Sequence, residues 1–99
     1  MYYVTVLYPH REGMRFDFDY YMSRHIPMVS RLLRTTIEVT KGIGTPTGTP
    51  PVFLYAARIR VRSLNEYQAA IAQHGAEIIG DMPNYTDVQP SVQIDEVVC

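Results

Sequence analysis

The stretch "TIEVTKGIGTPTGTPPVFLYAARIRV", residues 36–61, combines two alternating apolar and polar segments with a turn-rich segment between them. The first segment, "TIEVTKGI" (36–43), and the last, "VFLYAARIRV" (52–61), have the two-residue period of β-strands. The middle segment, "GTPTGTPP" (44–51), is rich in glycine and proline, which favour turns. The stretch therefore predicts a β-hairpin at the centre of the chain.

The residues before the hairpin predict a strand and then a helix. "YYVTVLY" (2–8) is β-branched and aromatic and stops at Pro9, which is typical of a strand. Either Asp17 or Asp19 can cap the helix that follows, because a carboxylate accepts the free N–H groups of a first turn. The apolar face of this helix comprises Phe18, Tyr21, Met22, His25, Met28, Val29, Leu32 and Leu33.

The residues after the hairpin repeat the same order. "SLNE" (63–66) has the spacing of a capping box and begins a second helix. "GDMPNYTDVQP" (80–90) breaks that helix, and "SVQIDEVV" (91–98) predicts a last strand. The order β-α-β-β-α-β predicts an α+β fold, a ferredoxin-like plait whose four-stranded antiparallel sheet carries both helices on one face. Residues 1–99 are expected to form a single domain.

Composition excludes several classes of partner. The 99 residues carry a net charge of −1, so nucleic acid and anionic membrane are not expected as partners. No apolar run has membrane-spanning length, and the start "MYYVTVLYP" lacks the layout of a signal peptide. The single cysteine, Cys99, cannot form an intrachain disulfide. A cytoplasmic location is expected.

The predicted sheet has an apolar side for the helices and a mixed opposite side. The helix side comprises Val4, Val6, Ile37, Val39, Phe53, Tyr55, Ala57, Ile59, Val92 and Ile94. The open side comprises Tyr3, Thr5, Leu7, Thr36, Glu38, Thr40, Val52, Leu54, Ala56, Arg58, Arg60, Ser91, Gln93 and Asp95. Exposed apolar sheet usually meets a partner, so a homodimer through this face is expected. The alternative is an open-faced monomer with scattered surface apolar residues. Glu38 can pair with Arg58 or Arg60 across the hairpin, so that the charges of "RIRVR" (58–62) form a solvated or ion-paired stripe. The alternative for these charges is an anion-binding wall that includes Arg58.

His25 is the residue best suited to chemistry. An apolar environment lowers the pKa of a histidine, and a neutral imidazole can act as a general base. Tyr21 lies four residues earlier on the same helical face and can share a pocket with it. The alternative is a structural histidine that has found a hydrogen-bond partner. Pro27 lacks a backbone N–H and predicts a kink around residues 23–24.

The segment "DMPNYTD" (81–87) supplies further candidates. Asp81 and Asn84 are explained by local turn chemistry, whereas the bulky Tyr85 is not. The histidines are dispersed, so no metal site is expected. No glycine-rich phosphate loop precedes a helix, so no cofactor is expected either.

The run Tyr20-Tyr21-x-x-x-His25-x-Pro27, with "LYP" (7–9) and "DMPNYT" (81–86), resembles the EthD family of dimeric α+β-barrel proteins. The resemblance implies a ferredoxin-like protomer, a homodimer whose two sheets form a barrel, and a small-molecule pocket containing His25. It also implies a kinship with isomerases, cyclases and cofactor-independent monooxygenases of that architecture. Family members are linked by name to ethyl tert-butyl ether degradation, which suggests catabolism of xenobiotics.

These residues are compatible with two functions. The first is an enzyme of isomerase, cyclase or monooxygenase type that acts on a small oxygen-bearing ring compound, with His25 as general base. The second is a non-catalytic binding or accessory protein of a degradation or biosynthesis pathway. In both cases the expected site consists of His25 and Tyr21 as catalytic candidates and of Tyr85, Tyr20, Asp81 and Arg58 as binding candidates.

Overall fold

The protein is described by a computed structural model of residues 1–99, which contains the predicted order of strands and helices. Its elements are β1 (Tyr2–Pro9), α1 (Phe18–Tyr20), a π-helical segment (Tyr21–His25), α2 (Ile26–Leu33), β2 (Ile37–Lys41), β3 (Phe53–Val61), α3 (Leu64–Gly80), a 3-10 turn (Met82–Asn84) and β4 (Ser91–Glu96).

The four strands form one antiparallel sheet in the order β2-β3-β1-β4. The central strands β1 and β3 pair from Tyr2 with Val61 to Tyr8 with Tyr55, and a register shift follows at Pro9. This is the predicted α+β arrangement, and the fold prediction is confirmed. The strand β2 is shorter than its alternating sequence suggests, since it ends at Lys41.

The helix before β2 is not regular throughout. Asp17 caps its start, because the carboxylate accepts the N–H of Tyr20 at 3.0 Å. The N–H of Ile26 donates to the carbonyl of Tyr21, five residues back, which is the hydrogen bond of a π-helix. Pro27 has no N–H to continue an α-helical ladder at this point. The distortion predicted around residues 23–24 therefore takes the form of a π segment that ends at His25.

The core divides into an aliphatic and an aromatic cluster. The aliphatic cluster consists of Val4, Val29, Ile59 and Val61. The aromatic cluster consists of Tyr8, Tyr21, Tyr55 and Tyr85. Buried tyrosines bring hydroxyl groups into the interior, and each hydroxyl needs a hydrogen-bond partner there. The aromatic cluster is therefore the polar part of an otherwise apolar core.

The edge strand β4 departs from the predicted pattern. Strand alternation predicts Val92 and Ile94 under the helices, but they are 57% and 49% exposed. β4 lies at the edge of the sheet beside β1, and the helices leave these two side chains accessible.

The open side of the sheet holds a network of its own. Arg58 lies 3.9 Å from Glu38 and stacks over the ring of Tyr3, so the predicted ion pair is present. Thr5 donates to Asp95 at 2.6 Å on the same side. The charged groups at the middle of this face are thus paired within the chain.

We expect Gly42→Ala to destabilise the hairpin. The N–H of Gly42 donates to the carbonyl of Leu54 at 2.6 Å, and a Cβ at this position would overlap the carbonyl oxygen of Phe53. Overpacking of this kind lowers the free energy of unfolding by about 1–3 kcal/mol, which urea denaturation measures. Gly44→Ala is the matched control, because its nearest neighbour would be 3.6 Å away. Equal effects of the two substitutions would contradict the steric explanation.

Candidate functional site

Three elements bring the candidate residues together beneath the first helix. His25 ends the π segment, Tyr8 lies near the end of β1, and Asp81 and Tyr85 flank the 3-10 turn after α3. The backbone N–H of Asp17 donates to the carbonyl of Tyr85 at 2.7 Å, which fixes the turn against the start of the helix. Residues far apart in the sequence thereby share one buried site.

The imidazole of His25 is paired with a carboxylate. Its Nδ1 lies 2.9 Å from Oδ2 of Asp81. The other oxygen of Asp81 accepts from the hydroxyl of Tyr20 at 2.6 Å and from the side-chain amide of Asn84 at 2.9 Å. A carboxylate accepts the proton on Nδ1, so the Nε2 of the neutral ring carries a free lone pair.

The lone pair on Nε2 points toward tyrosine hydroxyls. The hydroxyl of Tyr85 lies 3.2 Å from Nε2, and the hydroxyl of Tyr8 lies 2.7 Å from that of Tyr85. With Nδ1 protonated, Tyr85 donates to His25 and Tyr8 donates to Tyr85. The ring of Tyr21 stacks on the imidazole, with 5.7 Å between centroids and 17° between planes. A hydrogen-bonded chain thus runs from Tyr20 through Asp81 and His25 to Tyr8.

Burial sets the protonation states of this chain. Burial lowers the pKa of His25 below its ordinary value, although the hydrogen bond and charge of Asp81 act in the opposite direction. Burial alone would raise the pKa of Asp81, but the hydrogen bonds from Tyr20, Asn84 and His25 outweigh it and lower the pKa. At neutral pH the site therefore holds a neutral imidazole beside a charged carboxylate.

The buried tyrosines remain hydrogen-bond donors. Burial is the largest cause that raises the pKa of Tyr8, Tyr21 and Tyr85. Their hydroxyls stay protonated at any pH at which the fold operates. The arrangement can accept a proton at Nε2 and donate hydrogen bonds to an oxygen close by.

A cavity of about 200 Å³ lies between the helices and the sheet, against this chain of groups. His25, Tyr8, Tyr21 and Tyr85 contribute polar atoms or rings to its wall. Most of the remaining wall is aliphatic and includes Val6, Ala57, Val29, Ile71 and Ile78. The cavity is suited to a small, mainly apolar molecule that presents an oxygen atom to the polar end.

Five of the six predicted site residues lie together. His25, Tyr21, Tyr85, Tyr20 and Asp81 are linked by the contacts above. Arg58 is not among them, because it lies on the open side of the sheet, paired with Glu38. It does not belong to the wall of the His25 cavity.

Two features of the site do not follow from the sequence pattern: the presence of Tyr8 and the partner of Asp81. The sequence indicates a turn or ligand contact for Asp81, and its pairing with His25 joins residues 56 positions apart. The sequence holds one indication for Tyr8. Because it directly precedes Pro9, it is expected at the end of the strand, where the turn begins.

No three His, Cys, Asp or Glu side chains come together in a way that could hold a metal ion. None of the helices combines the length and the apolar character that a bilayer span requires.

Comparison with known proteins identifies relatives among solved structures. An EthD-like protein from Ralstonia eutropha JMP134 shares 43% sequence identity and has a TM-score of 0.92, with 99% of this chain and 92% of that chain covered. An ethyl tert-butyl ether (EthD) family protein from Bacillus halodurans C-125 shares 19% identity, with a TM-score of 0.71 and 99% of each chain covered, and so has the same fold. No family model matches the chain, and no curated protein does.

We expect acid to destabilise the protein through His25. The pKa of His25 is lower in the folded chain than its ordinary value of 6.5, so the unfolded chain binds more protons as pH falls below that value. The free energy of unfolding should therefore decrease as pH falls through this range. Asp81, whose pKa is also lowered, should add a second loss below its ordinary value of 3.8.

Urea denaturation at a series of pH values checks this expectation. His25→Gln should flatten the first decrease, whereas His10→Gln, at an exposed loop position, should leave it unchanged. The wild-type free energy of unfolding should not stay constant from neutral pH down to just above 3.8, the ordinary pKa of Asp81. A constant value would contradict the lowered pKa of His25.

Proposed function

The chain belongs to the EthD-like family, and we propose that its His25 cavity is the active site of an enzyme that transfers protons on a small oxygen-bearing ring compound. The observation that carries this proposal is the order Asp81–His25–Tyr85 at the wall of the cavity. A carboxylate that orients an imidazole, whose second nitrogen faces a hydroxyl, is an arrangement suited to general base catalysis. Isomerisation and cyclisation without a cofactor are reactions for which a general base and a hydrogen-bond donor suffice.

The proposed step begins when a ring carbonyl takes the hydrogen bond of Tyr85. This frees Nε2 of His25, which accepts a proton from the carbon next to the carbonyl. The C–H bond breaks, its electron pair forms the enolate, and the negative charge develops on the oxygen facing Tyr85. Asp81 stabilises the imidazolium. In a ring whose deprotonated carbon also carries a carbon–carbon double bond, the enolate extends over that bond, and its far carbon takes the proton back from Nε2. The carbonyl re-forms, the double bond moves next to it, and the isomerisation is complete.

The distances fit such a substrate. Nε2 and the hydroxyl of Tyr85 are 3.2 Å apart, so they can address a carbon and an oxygen that are two bonds apart in one molecule. Tyr8 holds the oxygen of Tyr85 at 2.7 Å and helps to stabilise charge that develops there.

The size of the cavity favours a small ring. Its volume of about 200 Å³ lies below the range of most drug-sized sites. Gly75 is the one buried residue of α3 and lines the cavity, and a Cβ at this position would lie 3.2 Å from a methyl group of Ile71. An interior glycine costs a helix about 1 kcal/mol relative to alanine, and the room it leaves in the cavity gives a reason for its presence.

A second candidate is a binding or accessory protein without turnover. In its favour, every buried side-chain nitrogen and oxygen already has a hydrogen-bond partner, so the polar network is complete without a ligand. The name of the Bacillus halodurans neighbour includes ethyl tert-butyl ether. We therefore propose a role in the catabolism of foreign compounds whether the protein is an enzyme or an accessory protein.

The proposed location is the cytoplasm, which is consistent with the single free cysteine, Cys99.

The proposal also includes a homodimer through the open side of the sheet. Val52 is 68% exposed, and Tyr3, Leu7, Leu54 and Ala56, which the sequence alternation predicts on the same side of the sheet, remain partly exposed. A second copy placed face to face would cover this apolar area, and the paired Arg58 and Glu38 would lie at its polar part.

The enzymatic proposal is tested by hydrogen–deuterium exchange into a panel of small cyclic ketones and lactones, followed by NMR in D₂O. The wild-type protein should accelerate exchange at the carbon next to the carbonyl for at least one compound. His25→Gln should reduce that rate about 10²–10⁴-fold, since this is the usual contribution of a general base. Asp81→Asn should lower the rate less and move the pH profile to lower pH, because it removes a charge that raises the pKa of His25.

Arg58→Gln is the matched control for exchange, since Arg58 lies on the other side of the sheet. Exchange that survives in His25→Gln would exclude His25 as the base. Binding of a panel compound without any exchange would support the accessory-protein candidate instead.

Sedimentation tests the dimer. The wild-type protein should sediment with twice the mass of the 11.3 kDa chain. Leu7→Glu places a charge in the apolar part of the open face, beside Ala56, and should shift the protein toward the single-chain mass. Met22→Glu, on the helix and 37% exposed, should not. A wild-type protein that sediments as one chain would refute the dimer without bearing on the His25 chemistry.

A further inference from the structure

A second cavity lies at the end of α2 away from the His25 site. It has a volume of about 410 Å³, and its wall includes Arg34, Arg60, Arg62 and Glu66 together with apolar side chains. Leu33, Ile59 and Tyr67 border both cavities, so the two are separated by these side chains. Nothing in the proposed proton transfer uses this second space.

The charges around this cavity are unbalanced. Arg62 pairs with Glu66 at 3.4 Å, whereas Arg34 and Arg60 have no carboxylate within ion-pair distance. Arg60 alternates with the buried Ile59 and Val61, so its side chain faces the open side of the sheet. The guanidinium of Arg34 therefore borders the cavity without a counter-charge from the protein itself. A guanidinium group binds carboxylate, sulfonate and phosphate groups through paired N–H donors.

The backbone of Arg34 gives an independent reason to connect this residue with a ligand. Arg34 is the only residue other than glycine with a positive φ, at 54°, and its N–H caps α2 by donating to the carbonyl of Ser30. Glycine adopts this left-handed conformation with less strain and is the usual residue at such a position. Arg31 already supplies positive charge to the last turn of α2. The side chain of Arg34 is therefore not needed to end the helix.

We infer that this second cavity is a binding site for an anionic, partly apolar molecule, with Arg34 as the principal contact to the anionic group. The apolar part of the ligand packs against Leu33 and Tyr67, which form the wall shared with the His25 cavity. This site is independent of the proposed reaction, since it occupies a different space and shares with the His25 cavity only wall residues that take no part in the proton transfer.

The probe pair anilinonaphthalene sulfonate and its uncharged parent, phenylnaphthylamine, tests this inference, because the two differ in one sulfonate group. Fluorescence titration at low ionic strength should show tighter binding of the sulfonate by the wild-type protein. Arg34→Gly should weaken sulfonate binding about fivefold and leave binding of the uncharged probe unchanged. The melting temperature should stay the same or rise, because glycine relieves the backbone strain.

Two variants act as controls. Arg31→Gln removes a charge from the same helix outside the cavity and should leave sulfonate binding unchanged. His25→Gln should also leave it unchanged, which separates this site from the proposed active site. Equal wild-type affinity for the two probes, unaltered sulfonate binding in Arg34→Gly, or the same loss in Arg31→Gln would each overturn the inference.

Discussion

The hydrogen bond between Nδ1 of His25 and the carboxylate of Asp81 is the interaction on which the interior of this protein depends. It joins the end of the π segment to the turn before β4, and its length is 2.9 Å. A buried imidazole without this partner would have an unsatisfied N–H, and the partly buried carboxylate of Asp81 would lose one of the hydrogen bonds that keep its pKa low. The same bond determines which nitrogen of His25 faces the cavity. One contact therefore bears both on the stability of the fold and on the chemistry proposed for His25.

The helix that carries His25 is shaped by a covalent constraint. Pro27 cannot donate a hydrogen bond, and the ladder before it runs from Ile26 to Tyr21 as a π segment. Within this segment both Tyr21 and His25 are buried, and their rings stack on each other. The unusual proline in the sequence thus lies close to the residue with the most distinctive chemistry. Local irregularities of this kind frequently occur at functional sites.

The order of strands and helices along the chain, the cap at Ser63 and the apolar surroundings of His25 could be predicted from the sequence, because each depends on local periodicity or on a known capping pattern. The cap of the first helix could be narrowed to Asp17 or Asp19, and the structure selects Asp17. The pairing of His25 with Asp81 could not be predicted, since it depends on how α3 returns the chain across the first helix. Local turn chemistry is a sufficient explanation of Asp81 in the sequence, and only the fold places its carboxylate beside the imidazole.

Two other differences have causes of their own. Arg58 has the charge of a ligand contact, but the strand alternation that the sequence already shows places it on the side away from the cavity, with Glu38 as its partner. Val92 and Ile94 have the alternation of buried residues, yet they lie on an edge strand that the helices do not cover. The sequence pattern shows which side of a sheet a residue faces. Whether the helices extend far enough to cover that residue depends on the assembled fold.

The central claim is that His25 is neutral, protonated at Nδ1, and unprotonated at Nε2, where it accepts the hydrogen bond of Tyr85. Two-dimensional NMR of the protein with ¹⁵N-labelled histidine, recorded across a pH titration, tests it most directly. We expect the Nδ1–H form at neutral pH and a titration midpoint below the ordinary value of 6.5. A ring protonated at Nε2, or a midpoint above that value, would contradict the claim.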